Sequence, residues 1–343
     1  MERADLDWKN LGFGLTPTDY SVRYRWRDGQ WSEPEVSQSM EVNLSVAATV
    51  LHYGQALFEG LKAFETVDGR CVLFRPEMNA KRMIHGARKL LMQSPSEDMF
   101  VNAAKEVVRL NRRFVPPVDS GASLYVRPLL IGTGARVGVR PSDEYMFILF
   151  VTPCGPYFKH GLRPIRLRVE EEVHRAAPLG VGDIKAAGNY AAGMRATHMA
   201  REQGYNDVLY LDAREGRYVD ESGPANFFGI RHQGDSATYV TPRSLSILPS
   251  VTNDSLTALA RDMGMVVERR PIGVDELPSF DEAGCCGTAT VIAPVGTIQW
   301  RGQTIQYNGD GTEPGPWTLK LYNQLTSIQR GKSPDTHGWL DEI

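Results

Sequence analysis

Residues 183–194 read DIKAAGNYAAGM, a lysine set among alanines and glycine with Asn189 and Tyr190 behind it. The chain holds nine lysines against twenty-nine arginines, so arginine is its usual surface cation. An amine that attacks a carbonyl must be partly neutral, and a confined, poorly hydrated setting favours that state. Ala186, Ala187 and Gly188 leave room for a ligand to come close. Taken alone, Lys185 reads more readily as a solvated surface group, as most lysines are.

A second stretch, YVDESGPANFFGI (218–230), places Glu221 near the end of a strand and just before a glycine-proline turn. A reactive lysine together with an acid is what pyridoxal phosphate requires. The lysine carries the aldehyde, and the acid keeps the ring nitrogen protonated so that the ring can draw electrons. The phosphate needs backbone N–H groups at a helix start, usually with an arginine. LPSVTNDSL (248–256) supplies such a start at Val251 and Thr252, and Arg82 lies in a predicted helix. Each residue also has an ordinary reading: a turn acid, an N-cap neighbour, a surface ion pair. Their joint occurrence is less ordinary.

The elements that must carry these residues alternate. YSVRYRW (20–26), RCVLFR (70–75), SLYVRPLLI (123–131) and YMFILFVTP (145–153) read as strands. Residues 77–92 read as an amphipathic helix with Met83, Ala87, Leu90 and Leu91 on one face. SPSE (94–97) reads as a capping box, with Ser94 the cap and Glu97 its partner. After CGPYFKHGLRP (154–164), the best candidate for a linker, come strand IRLRVEEEV and a helix from Asn189 to Gly204. DVLYLD (207–212) and residues 217–230 suggest hairpin strands, and residues 251–264 a helix closed by Gly264. MVVERRPI and ATVIAPVGTIQW return to strand, and residues 315–332 form a last helix. The reading is α+β, or mixed α/β, in two domains.

Composition excludes other classes. A net charge of −3 without a basic block argues against nucleic acid, and no apolar run nears the roughly 20 residues of a membrane span. The start MERADLDWKNLG shows neither secretory nor transit character, which suggests a cytoplasmic protein. Four cysteines without CxxC spacing and seven scattered histidines suggest reduced thiols and no metal site. GTGARVG (132–138) has the wrong spacing for a dinucleotide loop.

LHYGQALFEGLKAF (51–64), LFRPEMNAKRM (73–83), SLYVRPLLIGT (123–133), GPYF (155–158), KAAGNYAAGM (185–194), DESGPANFF (220–228), ILPSVTNDSL (247–256) and CGTATVIAPV (286–295) occur in one order over more than 200 residues. In these blocks the chain resembles the branched-chain amino acid aminotransferases, pyridoxal-phosphate enzymes of fold type IV. The resemblance implies a smaller N-terminal α/β domain (1–153), a linker (154–165) and a larger β-barrel-like C-terminal domain that binds the cofactor (166–343). It implies a homodimer, and transamination between leucine, isoleucine or valine and 2-oxoglutarate. Lys185 would hold the cofactor and shuttle a proton. Tyr190 would bond its phenolic oxygen, and Glu221 its ring nitrogen. Arg82, Val251, Thr252 and Thr288 would bind phosphate. Thr288 and Ala289 would face the substrate carboxylate. Tyr53, Phe58 and Tyr125 would line the side-chain pocket, with Arg127 seating a distal carboxylate.

Some positions depart from the family pattern. Pro224 and Ala225 stand where a small or hydroxylated residue follows the glutamate loop, and Ser250 and Asn253 replace a glycine and an arginine. Thr290 and Ala293 replace a redox CxxC. The last difference argues against thiol regulation, while the first two bear on substrate range and leave an unusual branched or aromatic amino acid, a D-amino acid or an (R)-amine as alternative substrates.

Overall fold

The computed structural model describes residues 2–155 and 161–343; most of the GPYF block, and part of the expected linker, lie outside the described residues. Two compact units separate. One gathers the N-terminal part of the chain with Ile184–Gly188 and Ile328–Ile343, and the other the remaining C-terminal part. The expected division left both returning segments in the C-terminal domain.

The first unit carries strands β1 (Ser21–Arg27), β2 (Gln30–Trp31), β3 (Glu35–Ser37), β4 (Ala56–Phe58), β5 (Leu61–Glu65), β6 (Cys71–Phe74), β7 (Ser123–Gly132) and β8 (Tyr145–Cys154). Its sheet runs β6-β5-β7-β8-β1-β2, with the C-terminal strand Leu340–Glu342 added beside β6, β3 on β1 and β4 on β7. Helices α1 (Thr49–Tyr53), α2 (Pro76–Lys89) and α3 (Glu97–Leu110) accompany it. Leu124 and Val126 of β7 join Leu61, Ala63, Leu149 and Val151 in a core closed by Met83 of α2 and Phe100 of α3. Side chains alternate along a strand, so Tyr125 and Arg127 point from the other face. Lys62 and Thr152 stand directly opposite Tyr125 in register and share that face.

Two local readings of this unit need correction. α2 ends at Lys89: Leu91 turns left-handed (φ 53°), and the N–H groups of Leu91 and Met92 return to the carbonyls of Arg88 and Ala87. This Schellman closure leaves Leu91 exposed and sends Met92 into the core instead. The cap of α3 is Ser96, whose Oγ accepts from the Met99 N–H at 3.1 Å; Ser94 Oγ donates to the carbonyl of Pro95.

The second unit carries β9 (Ile165–Glu170), β10 (Asp207–Leu211), β11 (Val219–Ser222), β12 (Ala225–Gln233), β13 (Ser236–Pro242), β14 (Val266–Arg270), β15 (Glu282–Gly287), β16 (Val291–Trp300) and β17 (Gln303–Gln306). Its order is β11-β10-β9-β16-β15-β12-β13-β14, and β11 also pairs with β12. That extra pairing closes β9, β10, β11, β12, β15 and β16 into a ring. The barrel-like expectation is met, and closure removes edges that would otherwise invite pairing. Helix α4 (Ala187–Glu202) follows β9, α5 (Val251–Asp262) joins the parallel pair β13 and β14, and α6 (Pro316–Gln329) follows β17. The fold is mixed α+β.

Candidate functional site

In the first unit the chain around Lys185 alternates like a strand. Ile184 and Ala186 are core residues, Ala186 bridges to Leu57, and the Phe58 N–H donates to the Lys185 carbonyl at 3.2 Å. The lysine side chain is thereby turned away from the core. Its Nζ lies 4.8 Å from the centre of the Phe58 ring. The Arg127 guanidinium stands 4.9 Å from that ring and 5.3 Å from the Tyr125 ring, and its Nη2 donates to the Tyr125 hydroxyl at 3.3 Å. Four expected residues therefore meet: Lys185, Phe58, Tyr125 and Arg127. Arg127 Nε is buried without a hydrogen-bond partner among the described residues, a donor aimed at something else. Gly60 makes the packing possible, since a Cβ there would fall 1.9 Å from the Tyr125 hydroxyl oxygen. Tyr53 is exposed on α1, and its hydroxyl donates to the Val137 carbonyl.

Arg82, on α2, is engaged at both ends of its fork. Nε and Nη2 each donate to Glu59 at 2.7 Å, and Asn79 donates to the same carboxylate at 2.8 Å. Glu59 is fully buried. Such a bidentate pair fixes the direction of the guanidinium. Sequence reading missed Glu59, although it lies inside the LFEGLKAF block.

In the second unit Glu221, on β11, is 3% exposed. Its Oε2 accepts from Asn226 at 2.7 Å. Its Oε1 accepts from the Leu248 N–H at 3.1 Å and pairs with Arg175 at 2.8 Å. Burial pushes the carboxyl up to about 7, against the lowering pull of Arg175, the Leu248 N–H and Asn226. Val251 and Thr252 open α5 behind the Ser250 cap, whose Oγ accepts from Asn253 at 3.1 Å. The first N–H groups of a twelve-residue helix, with the positive end of its dipole, form a natural anion cradle. Thr288 and Ala289 lie in the turn after β15, next to Thr290, whose buried Oγ1 has no partner among the described residues. Tyr190 lines a cavity of about 380 Å³ with Arg175, Met194, Tyr210 and Pro224, so the proline that departs from the family pattern faces this space. Arg175 and Asn226 were absent from the expected set. An arginine in a chain with twenty-nine of them carries no sequence signal.

Each unit by itself offers groups whose chemistry suits pyridoxal phosphate: the second has a helix start that can receive a dianion and a buried carboxyl on β11, and the first has a lysine turned off its core. Among the described residues no cluster of side chains could hold a metal ion. Groups of these kinds are those that an amino-group-transferring enzyme needs. Residues 56–298 match the family model for amino-transferase class IV, and the chain belongs to that family. It is 45% identical to the branched-chain amino acid aminotransferase 2, chloroplastic, of Humulus lupulus, over all of this chain and 83% of that one. It is 45% identical to the branched-chain-amino-acid aminotransferase of Helicobacter pylori, over 99% of this chain and 98% of that one. Among solved structures, the Escherichia coli branched-chain amino acid aminotransferase superposes with a TM-score of 0.79 at 28% identity, covering 94% of this chain and 99% of that one. A second solved structure of that enzyme from Escherichia coli superposes with a TM-score of 0.75 at 26% identity, covering 94% of this chain and 98% of that one.

Proposed function

We propose that the protein exchanges amino groups between branched-chain L-amino acids and 2-oxoglutarate, using pyridoxal 5'-phosphate. The observation that carries this reading is the juxtaposition of Lys185, Phe58, Tyr125 and Arg127: an amine, two aromatic walls and a guanidinium with an unsatisfied nitrogen. An aminotransferase must accept an apolar side chain in one half-reaction and a carboxylate in the other. Aromatic walls bury the first at roughly 25 cal/mol per Å², and Arg127 keeps the second from being buried unpaired. The named relatives favour branched-chain substrates over the D-amino acid, amine and aromatic alternatives.

When bound, the cofactor supplies an aldehyde carbon for the amino group and an electron sink that acidifies the substrate Cα–H. The residues do the rest. Lys185 Nζ holds the cofactor and then carries the proton that leaves Cα. Glu221 keeps a proton on the ring nitrogen, and Tyr190 donates to the phenolic oxygen. Arg82, the Val251 and Thr252 N–H groups and Thr288 hold the phosphate, while the Thr288 and Ala289 amides receive the α-carboxylate. Tyr53, Phe58 and Tyr125 enclose the side chain. A homodimer in the cytoplasm completes the reading. An exposed apolar surface supports the first part, and no helix among the described residues is long and apolar enough to cross a membrane.

Single-turnover reactions test the assignment. In Arg127→Ala the glutamate half-reaction should slow at least about tenfold more than the leucine half-reaction, the worth of one charge-assisted contact. Equal losses would sink the dual-recognition role. Lys185→Ala should lose both the absorbance of covalently held cofactor and turnover.

A further inference from the structure

We propose that Arg175 is a positioning residue that keeps Glu221 a weak base, so that the shared proton rests on the cofactor's ring nitrogen rather than on the carboxyl. The proposal rests on the functional reading above. Arg175 leaves the loop that runs along the chain into Lys185, and its side chain is 8% exposed. Nη2 pairs with Glu221 Oε1 at 2.8 Å and donates to the carbonyls of Gly182, at 3.0 Å, and Ser246. The site is built for this reach. A Cβ on Gly182 would fall 2.3 Å from the Ser246 carbonyl oxygen and 3.0 Å from Arg175 Nη2.

The segment 246–248, ahead of α5, is held from both sides. Arg175 takes the Ser246 carbonyl, and Glu221 takes the Leu248 N–H two residues before Ser250 caps α5. One ion pair thus ties the ring-nitrogen carboxyl to the strand-to-helix entry proposed for phosphate. The groups facing Glu221 are Arg175, Asn226, the Leu248 N–H and Asp220, with Cys285 and Cys286 on the neighbouring β15. Arg175 is the cation among them. Asp220 raises the proton affinity of Glu221 and is itself pushed up by burial. Tyr210, near Arg175, is pushed up to about 12 by burial and stays neutral at working pH.

A carboxylate without its cation binds a proton more tightly. In Arg175→Gln the proton should therefore move from the ring nitrogen toward the carboxyl, and the electron sink should weaken in both half-reactions alike.

The experiment loads the protein with pyridoxal phosphate labelled with 15N in the ring and follows that nucleus by NMR from pH 6 to 9. The expected result for Arg175→Gln is a signal displaced toward the unprotonated position. With it, kcat should fall about tenfold to a hundredfold while KM for leucine and glutamate changes less than about threefold. Arg175→Lys, which keeps the charge and loses the fork, should hold the 15N signal near the wild-type position. A loaded Arg175→Gln protein with an unchanged 15N signal and pH profile overturns the proposal while leaving the functional reading intact. If Arg175→Gln cannot be loaded, Arg175→Lys decides: a restored signal and turnover supports the proposal, and failure to load there too reduces Arg175 to a structural staple and overturns it. A wild-type protein that takes up no pyridoxal phosphate would instead sink the functional reading.

Discussion

Two buried ionisable side chains should leave opposite marks on stability. Glu221 is pushed from 4.5 to about 7, chiefly by burial, so the folded protein holds that proton more tightly than the unfolded chain. Stability from this group is complete below 4.5 and is lost as pH climbs through 7, by on the order of 3 kcal/mol. Lys62 is pulled from 10.5 down to about 8 by burial, with Arg330 adding to the fall. There the unfolded chain binds the extra proton, so stability rises as pH climbs from 8 toward 10.5. Urea melts of cofactor-free protein across pH should show both slopes. Glu221→Gln should flatten the lower one and Lys62→Met the upper one, and a lower slope that survives Glu221→Gln would refute the assignment. Neither shift was legible in sequence, because burial comes from strands far apart along the chain. Lys62 meets Tyr125 across β5 and β7, and Glu221 meets Arg175 across the whole of α4 and β10.

Most of the longer elements were legible, and those that were not escaped for different local reasons. β7, β8 and α5 announce themselves by apolar runs or caps, and the Glu221 hairpin by its Gly-Pro turn. β13 and β15 did not: SATYVTP opens with small residues and mixes polar with apolar ones, and EAGCCG, after its glutamate, holds only small residues that barrel neighbours bury. The α3 start was misread because two serines compete within three residues, and only Ser96 has Met99 three positions on at the point where the helix begins. The start of α5 offers a test at this scale. Ser250→Ala should cost about 1 kcal/mol by loss of the cap to Asn253. Because the cap also orders the first N–H groups, affinity for pyridoxal phosphate should fall along with the melting temperature. An unchanged affinity in a destabilised variant would separate the cap from the phosphate cradle.

At the scale of the molecule, order along the chain was a poor guide to what packs together. The segment Ile184–Gly188 belongs by its contacts to the first unit because Ile184 and Ala186 complete a core built from residues before 155. The C-terminal strand pairs with β6, with Trp339 against Phe74. The same unit also carries three strongly exposed valines on neighbouring loops. Val46, Val137 and Val139 are 86%, 86% and 84% exposed. They ride on loops joined by the Ala48–Ala135 bridge and by the Arg136 N–H to the Ala47 carbonyl at 2.9 Å. These valines are the apolar side chains that the homodimer reading would cover. A second copy of the chain is the occupant that the homodimer reading supplies. Val137→Asp with Val139→Asp would place two carboxylates on that surface without touching the core or the backbone bridge. Light scattering after size exclusion should show a dimer for the wild type and a monomer for the double variant, with circular dichroism unchanged. A wild-type monomer at micromolar concentration sinks the homodimer reading, and a dimer that withstands both aspartates moves the interface elsewhere on the protein.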